Sequence, residues 1–140
     1  MSKLVVDASV VVKFYVPEVD TDNAVAILES DQELWIPDLA ISEVGNILWK
    51  KYRLKELSKE EVLTIGKEIK SCPLRIHNAI ELLEATLEIA TIFDRTFYDS
   101  LYLALAVRLD CQFVTADKKL FNAIHKSGLG ENILLLADSG

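Results

Sequence analysis

The sequence predicts an α/β fold built on a mainly parallel sheet. Three observations carry that expectation. Short β-branched runs alternate with helical stretches along the whole chain. Hydrophobic residues are 51% of the 140, enough for a core without disulfide or metal staples. No Pro/Gly-rich break and no internal repeat divides the chain, so residues 1–140 are expected to form a single domain.

The elements follow in order. In "KLVVDAS", Leu4 to Val6 read as a buried strand that stops at Asp7. Val10, Val11 and Phe14 suggest a short helix after it. Residues 20–30 form a second helix, with Ala24, Ile27 and Leu28 on one face. Residues 33–37 are a strand closed by Pro37. Asp38 then caps a helix through Arg53, where Ile41, Val44 and Leu48 recur at helical spacing. Residues 57–70 are a further helix, its start marked by Ser58 and Glu61 at capping-box spacing. Residues 72–77 read as a strand and 78–93 as a strongly amphipathic helix. An apolar helix runs from about Phe97 to Leu109, before a strand in 111–117 that ends at Asp117. "KKLFNAIHK" is helical, and 132–138 holds the last strand. The five strand cores are 3–7, 34–36, 73–76, 112–115 and 133–136. Their crossovers should be right-handed. Ligands of such folds bind beyond the carboxyl ends of the strands, where strand order reverses.

Composition narrows the function. A formal net charge of −7 argues against a protein that coats nucleic acid with a basic face. It leaves open an enzyme that meets nucleic acid through a bound cation, which reverses the local sign. The apolar run at 101–107 is far shorter than the roughly 18–20 residues of a membrane span. The first residues lack a signal-peptide pattern, so a cytoplasmic protein with no membrane contact is expected. Cys72 and Cys111 stand in no redox or metal spacing and are expected as free thiols, unless the fold brings them together. His77 and His125 are isolated and are expected at the surface or the core edge. There is no GxGxxG, no Walker loop, no GxSxG elbow, and no Ser or Cys nucleophile with a paired His.

Four carboxylates stand out. Asp7 and Asp117 end strands, Asp99 heads the apolar helix, and Glu43 lies one turn inside the helix after Pro37. Each has a plain alternative. Asp7 and Asp117 fit as caps of the helices that follow. Thr96 with Asp99 matches the [ST]-x-x-[DE] capping pattern. Acids at helix starts also gain about 0.3–1 kcal/mol from the helix dipole. Glu43 reads equally as a surface residue beside Asn46 and Lys50. Taken together the four point further. Carboxylates that converge repel strongly unless cations sit among them. Oxygen donors in that number suit Mg²⁺ or Mn²⁺, whereas zinc prefers Cys and His.

The segments "LVVDASVVVKFYVPE", "IPDLAISEVGNIL" and "TFYDSLYLALAVRLDCQFVTADKKL" resemble, in order and spacing, the motifs of PIN-domain proteins, and among them the VapC-type toxin ribonucleases of toxin–antitoxin pairs. The resemblance covers nearly the whole chain, and "YDSLYLALA" and "TADKKL" are its most specific parts. It implies a three-layer α/β/α fold with a central parallel five-stranded sheet. It places Asp7, Glu43, Asp99 and Asp117 on the family's four acidic positions, with no departure there. Ser9 and Thr115 fall on supporting hydroxyl positions, and Asn46 on a polar position after Glu43. It further implies a Mg²⁺- or Mn²⁺-dependent endoribonuclease, homodimeric and held by a cognate antitoxin protein. In that reading all four acids serve catalysis as metal ligands, Glu43 alternatively orienting the attacking water. Lys13, Arg95, Lys118 and Lys119 are the nearest basic residues for RNA phosphates, although ordinary solvated side chains explain each one as well. Residues 47–57 bring Leu48, Trp49 and Tyr52 together with basic residues, either as a partner surface or as core plus helix edge. The rival functions are a catalytically silent PIN-like binding or scaffold module, and a nuclease acting on DNA.

Overall fold

A computed structural model describes residues 2–139, and Met1 and Gly140 lie outside the described residues. The chain enters on β1 (Lys3–Val6), followed by α1 (Ala8–Lys13) and α2 (Thr21–Leu28). Then come β2 (Glu33–Pro37), α3 (Leu39–Arg53), α4 (Lys59–Lys70) and β3 (Leu74–His77). A single 3₁₀ turn at Ala79–Leu82 leads into α5 (Leu83–Phe93) and α6 (Phe97–Arg108). The chain closes with β4 (Gln112–Thr115), α7 (Lys118–Ile124) and β5 (Ile133–Leu135).

All pairings are parallel, and the strand order is β3-β2-β1-β4-β5. The chain builds outward from β1 to β3, then returns to the other side of β1 to lay down β4 and β5. With right-handed crossovers, that reversal puts the earlier helices over one face and α5 with α6 over the other. The result is the three-layer α/β/α arrangement. Leu4, Val5 and Val6 are all buried, as a strand covered on both faces requires.

α6 is the central helix. It packs on β1, β2 and β4, with α5 against it. Ser100 through Ala106 are all buried, so this helix is apolar all round rather than amphipathic. The Ser58–Glu61 capping box forms as expected, with both reciprocal hydrogen bonds in place.

Four expectations change. Asp38 is not a side-chain cap: its backbone is already helical, and its carboxylate accepts the Ala79 N–H at 3.1 Å, tying the start of α3 to the turn after β3. The amphipathic helix at 78–93 starts as a 3₁₀ turn, and it turns Ile80, Leu83, Leu87 and Ile92 outward. The third strand starts at Leu74, because Cys72 still closes the end of α4 by donating to the Ile69 carbonyl. The last strand stops at Leu135, where Leu136–Asp138 turns away as 3₁₀ and the Asn23 amide donates to the Leu136 carbonyl at 2.9 Å.

Candidate active site

The switch point falls between β1 and β4, and both strands end there in a carboxylate. Asp7 follows β1 as the N-cap of α1, its Oδ1 accepting the Ser9 N–H and the Ser9 hydroxyl, each at 2.6 Å. Its Oδ2 accepts the Thr115 hydroxyl at 2.8 Å, from the last residue of β4. Both oxygens of Asp7 are thus held, one from its own helix and one from the neighbouring strand. Ser9 and Thr115 thus both donate their hydroxyls to Asp7. Thr115 is fully buried, and its hydroxyl also accepts the Asp117 N–H at 3.1 Å.

Asp99 enters from the first turn of α6. Its backbone N–H, not its carboxylate, makes the cap bond, donating to Thr96 Oγ1 at 3.1 Å. The carboxylate is left to face Arg95, one turn back, at 3.4 Å. Glu43 reaches in from α3, half-buried. Its Oε1 accepts the Tyr102 hydroxyl at 2.8 Å. The Tyr102 ring stacks on Phe113 of β4, with centroids 5.0 Å apart and planes 7° from parallel.

Electrostatics bind three of these acids into one site. Burial pushes the Asp7 carboxyl above the ordinary carboxylate range; the bonds from Ser9 and Thr115 oppose the rise, and the charge of Asp99 adds to it. Burial also raises Glu43; the Tyr102 bond opposes this, and Asp7 and Asp99 add to it. Burial, then the charges of Glu43 and Asp7, push the Tyr102 phenol far up, so it keeps its proton and remains a donor. Asp117 stands apart. It is exposed, and its Oδ1 caps α7 by accepting the Lys119 and Leu120 N–H groups at 2.9 and 3.1 Å. Its link to the others is indirect, through Thr115.

The donor chemistry suits a hard divalent cation. The converging groups are carboxylates, and among the described residues Arg95 is the one cationic side chain paired with them. His77 instead lies 3.5 Å from Glu81, His125 stacks on Phe121, and Cys72 and Cys111 are free thiols. Among the described residues, no three His, Cys, Asp or Glu side chains stand close enough to share an ion as they are.

The PIN domain family model matches residues 4–126, a span that contains all four acids. The chain belongs to the PIN-domain family. Ribonuclease VapC3 of Pyrobaculum aerophilum is 36% identical to this PIN domain over 120 residues, covering 84% of this chain and 92% of that protein. A solved structure from Pyrobaculum aerophilum aligns with a TM-score of 0.67 at 27% identity, over 87% of this chain and 79% of that one. VapBC2 of Rickettsia felis, solved bound to a DNA fragment from its promoter, aligns with a TM-score of 0.65 over 95% of this chain and 96% of that one. At 15% identity, that last likeness concerns the fold alone.

The remaining predicted residues of this PIN domain divide. The Asn46 side chain is exposed and makes no hydrogen bond among the described residues. Lys13 is spent on Glu18 at 3.4 Å, and Arg95 faces Asp99. Lys118 and Lys119 are exposed beside Asp117 and form no ion pair among the described residues. Leu48 is core, while Trp49 and Tyr52 are each 48% exposed. Tyr102 is the residue the sequence reading missed. Within "SLYLALA" it looks like one more apolar position, and its partner Glu43 is 59 residues away. The available signal was a hydroxyl one turn after Asp99, within the apolar run that follows Ser100. Among the described residues, no helix is long and apolar enough to cross a membrane.

Proposed function

We propose that this chain is a divalent-metal-dependent endoribonuclease that hydrolyses RNA phosphodiester bonds, the toxin of a toxin–antitoxin pair. One observation carries the reading. Asp7, Glu43 and Asp99 come from three different elements and act on one another's charge at the switch point. Such an array is self-repulsive, and Mg²⁺ or Mn²⁺ matches its oxygen donors. Asp7, Glu43 and Asp99 would hold the ion, with Asp117 on the exposed side. An ion there supplies acidity to water and neutralises charge on the phosphate. Ser9 and Thr115 fix the Asp7 rotamer, so that carboxylate is oriented before an ion binds, and Glu43 and Asp99 close on the ion. Glu43 orients the attacking water through its second oxygen. Lys118 and Lys119 receive the substrate phosphates. The ribonuclease name of the Pyrobaculum relative supports RNA as the substrate.

Two surfaces support partners. Trp49 and Tyr52 line a cavity of about 330 Å³ with Val62 and Leu63, and Gly45 also borders an apolar groove of about 460 Å³ lined by Ile41, Val44, Leu48, Ile69 and Ile76; together they suit an antitoxin segment. Outward-facing Ile80, Leu83, Leu87 and Ile92 suit a second copy of the chain.

The test is incubation of purified chain with labelled RNA and with labelled DNA, in Mg²⁺, in Mn²⁺ and in EDTA. RNA cleavage in metal, lost in EDTA, is expected. Cleavage of DNA alone would move the substrate. No cleavage in any condition, with tight binding of a small partner, would leave a silent binding module.

A further inference from the structure

Tyr102 reaches several elements of the site from within the central helix. Its hydroxyl donates to Glu43 on α3 at 2.8 Å. The Ala8 N–H, next to Asp7 at the start of α1, faces the same phenol oxygen. Asp99 lies one turn earlier on the same helix. The ring is 3% exposed and lies flat on Phe113, in the strand that ends at Thr115. One rigid side chain therefore fixes its oxygen relative to every element that supplies an acid, α7 excepted.

We propose that Tyr102 is a positioning residue, whose hydroxyl holds the Glu43 carboxylate in the site between Asp7 and Asp99; this rests on the ribonuclease reading above. The reasoning is mechanical and electrostatic. Glu43 carries a flexible side chain with three rotatable bonds, and two negative charges push it away. Asp7 needs no such help, because Ser9 and Thr115 grip both its oxygens. Glu43 has one grip among the described residues, and it is Tyr102. Without it, repulsion turns Glu43 outward and the group that orients the water is lost. Stacking on Phe113 fixes the phenol in advance, so ordering Glu43 costs no tyrosine rotamer freedom.

Tyr102→Phe tests this, since it keeps the ring and deletes only the oxygen. RNA cleavage is measured in Mn²⁺ for wild type, Tyr102→Phe, Glu43→Gln and the double variant. Mn²⁺ binding to each is titrated separately, and thermal unfolding checks each fold. The expectation is a fall in kcat of about 10- to 100-fold for Tyr102→Phe with KM unchanged. Mn²⁺ binding should weaken several-fold. In the Glu43→Gln background, Tyr102→Phe should change neither quantity further, because it acts through Glu43. Full multiplicative losses in the double variant overturn the proposal, as does a Tyr102→Phe enzyme of wild-type kcat and Mn²⁺ affinity. A wild type that binds Mn²⁺ but cleaves no RNA defeats the ribonuclease reading alone, and the Mn²⁺ series then decides Tyr102. A wild type that neither cleaves nor binds Mn²⁺ overturns both.

Discussion

The Thr115 hydroxyl donates to Asp7 Oδ2 at 2.8 Å across two neighbouring parallel strands. The same hydroxyl accepts the Asp117 N–H. One buried oxygen therefore joins the Asp7 carboxylate to the Asp117 backbone, at strand ends from opposite sides of the chain reversal. Thr115→Val keeps the shape and deletes that oxygen, leaving Asp7 Oδ2 and the Asp117 N–H without a partner. The expected loss of stability is about 1–3 kcal/mol in urea unfolding. Cleavage should fall about 10- to 100-fold, the usual scale for groups that orient ligands. Thr115→Ser should restore most of both. A valine variant as stable and as active as wild type would mean the bond holds nothing in place.

Asp7 makes stability depend on pH in a direction opposite to most carboxylates. Burial raises its pKa from 3.8, so the folded state binds that proton more tightly than the unfolded state does. The metal-free protein therefore loses stability as pH rises from about 3.8 through the raised folded value, and it regains stability on acidification. Glu43 has the same sign, starting from 4.5. Asp7→Asn removes the charge, keeps an oxygen to accept from Ser9, and reverses the Thr115 bond so that the amide donates to the hydroxyl. In EDTA at neutral pH it should stabilise the fold by on the order of 1–2 kcal/mol while abolishing cleavage. The gain should shrink as pH is lowered toward the ordinary carboxylate range. A variant less stable than wild type at neutral pH would show that the hydrogen bonds outweigh desolvation.

The sheet and the carboxylates at its edge were legible because both follow from short-range rules. A β-branched run that stops at an acid marks a strand end, and parallel α/β sheets place their sites at strand ends. What escaped was long-range. Asp38 has the sequence position of a cap, but its partner is Ala79, reached only once β3 lies beside β2. Tyr102 reads like its apolar neighbours until the fold brings its hydroxyl to Glu43 of α3. Asp117 was legible as a strand-end acid, yet its carboxylate is engaged by its own helix, and only packing separates it from the other three. The outward side chains of the 78–93 segment escaped for a different reason. Apolar periodicity predicts that a face will be covered, without naming what covers it.

Trp49 and Tyr52 separate partner binding from chemistry. Both are half-exposed on α3, and the Arg53 guanidinium lies 5.5 Å above the Trp49 ring. Neither residue touches the acids. Replacing both with Glu should shift unfolding by no more than about 0.5–1 kcal/mol, the scale of surface changes. RNA cleavage should be unchanged, whereas inhibition by the proposed antitoxin should weaken by 100-fold or more. Inhibition that survives both charges would move the partner surface elsewhere.

Thr96 and Asp99 divide a role that a capping motif assigns to them jointly. Thr96 Oγ1 accepts the Asp99 N–H, so the cap belongs to Thr96, and the Asp99 carboxylate is free of it. Thr96→Ala should therefore cost about 1 kcal/mol in thermal or urea unfolding. Its cleavage rate, once the protein is folded, should drop far less than that of Asp99→Asn. Asp99→Asn should keep the fold, because the Arg95 contact it weakens is a partly exposed 3.4 Å pair worth little. Removing a carboxylate also relieves the charge on Asp7 and Glu43, which favours the folded state. Its Mn²⁺ affinity and metal-dependent cleavage should collapse together. If Asp99→Asn unfolds while Thr96→Ala remains stable, the carboxylate is structural, and the site loses one of its three converging charges.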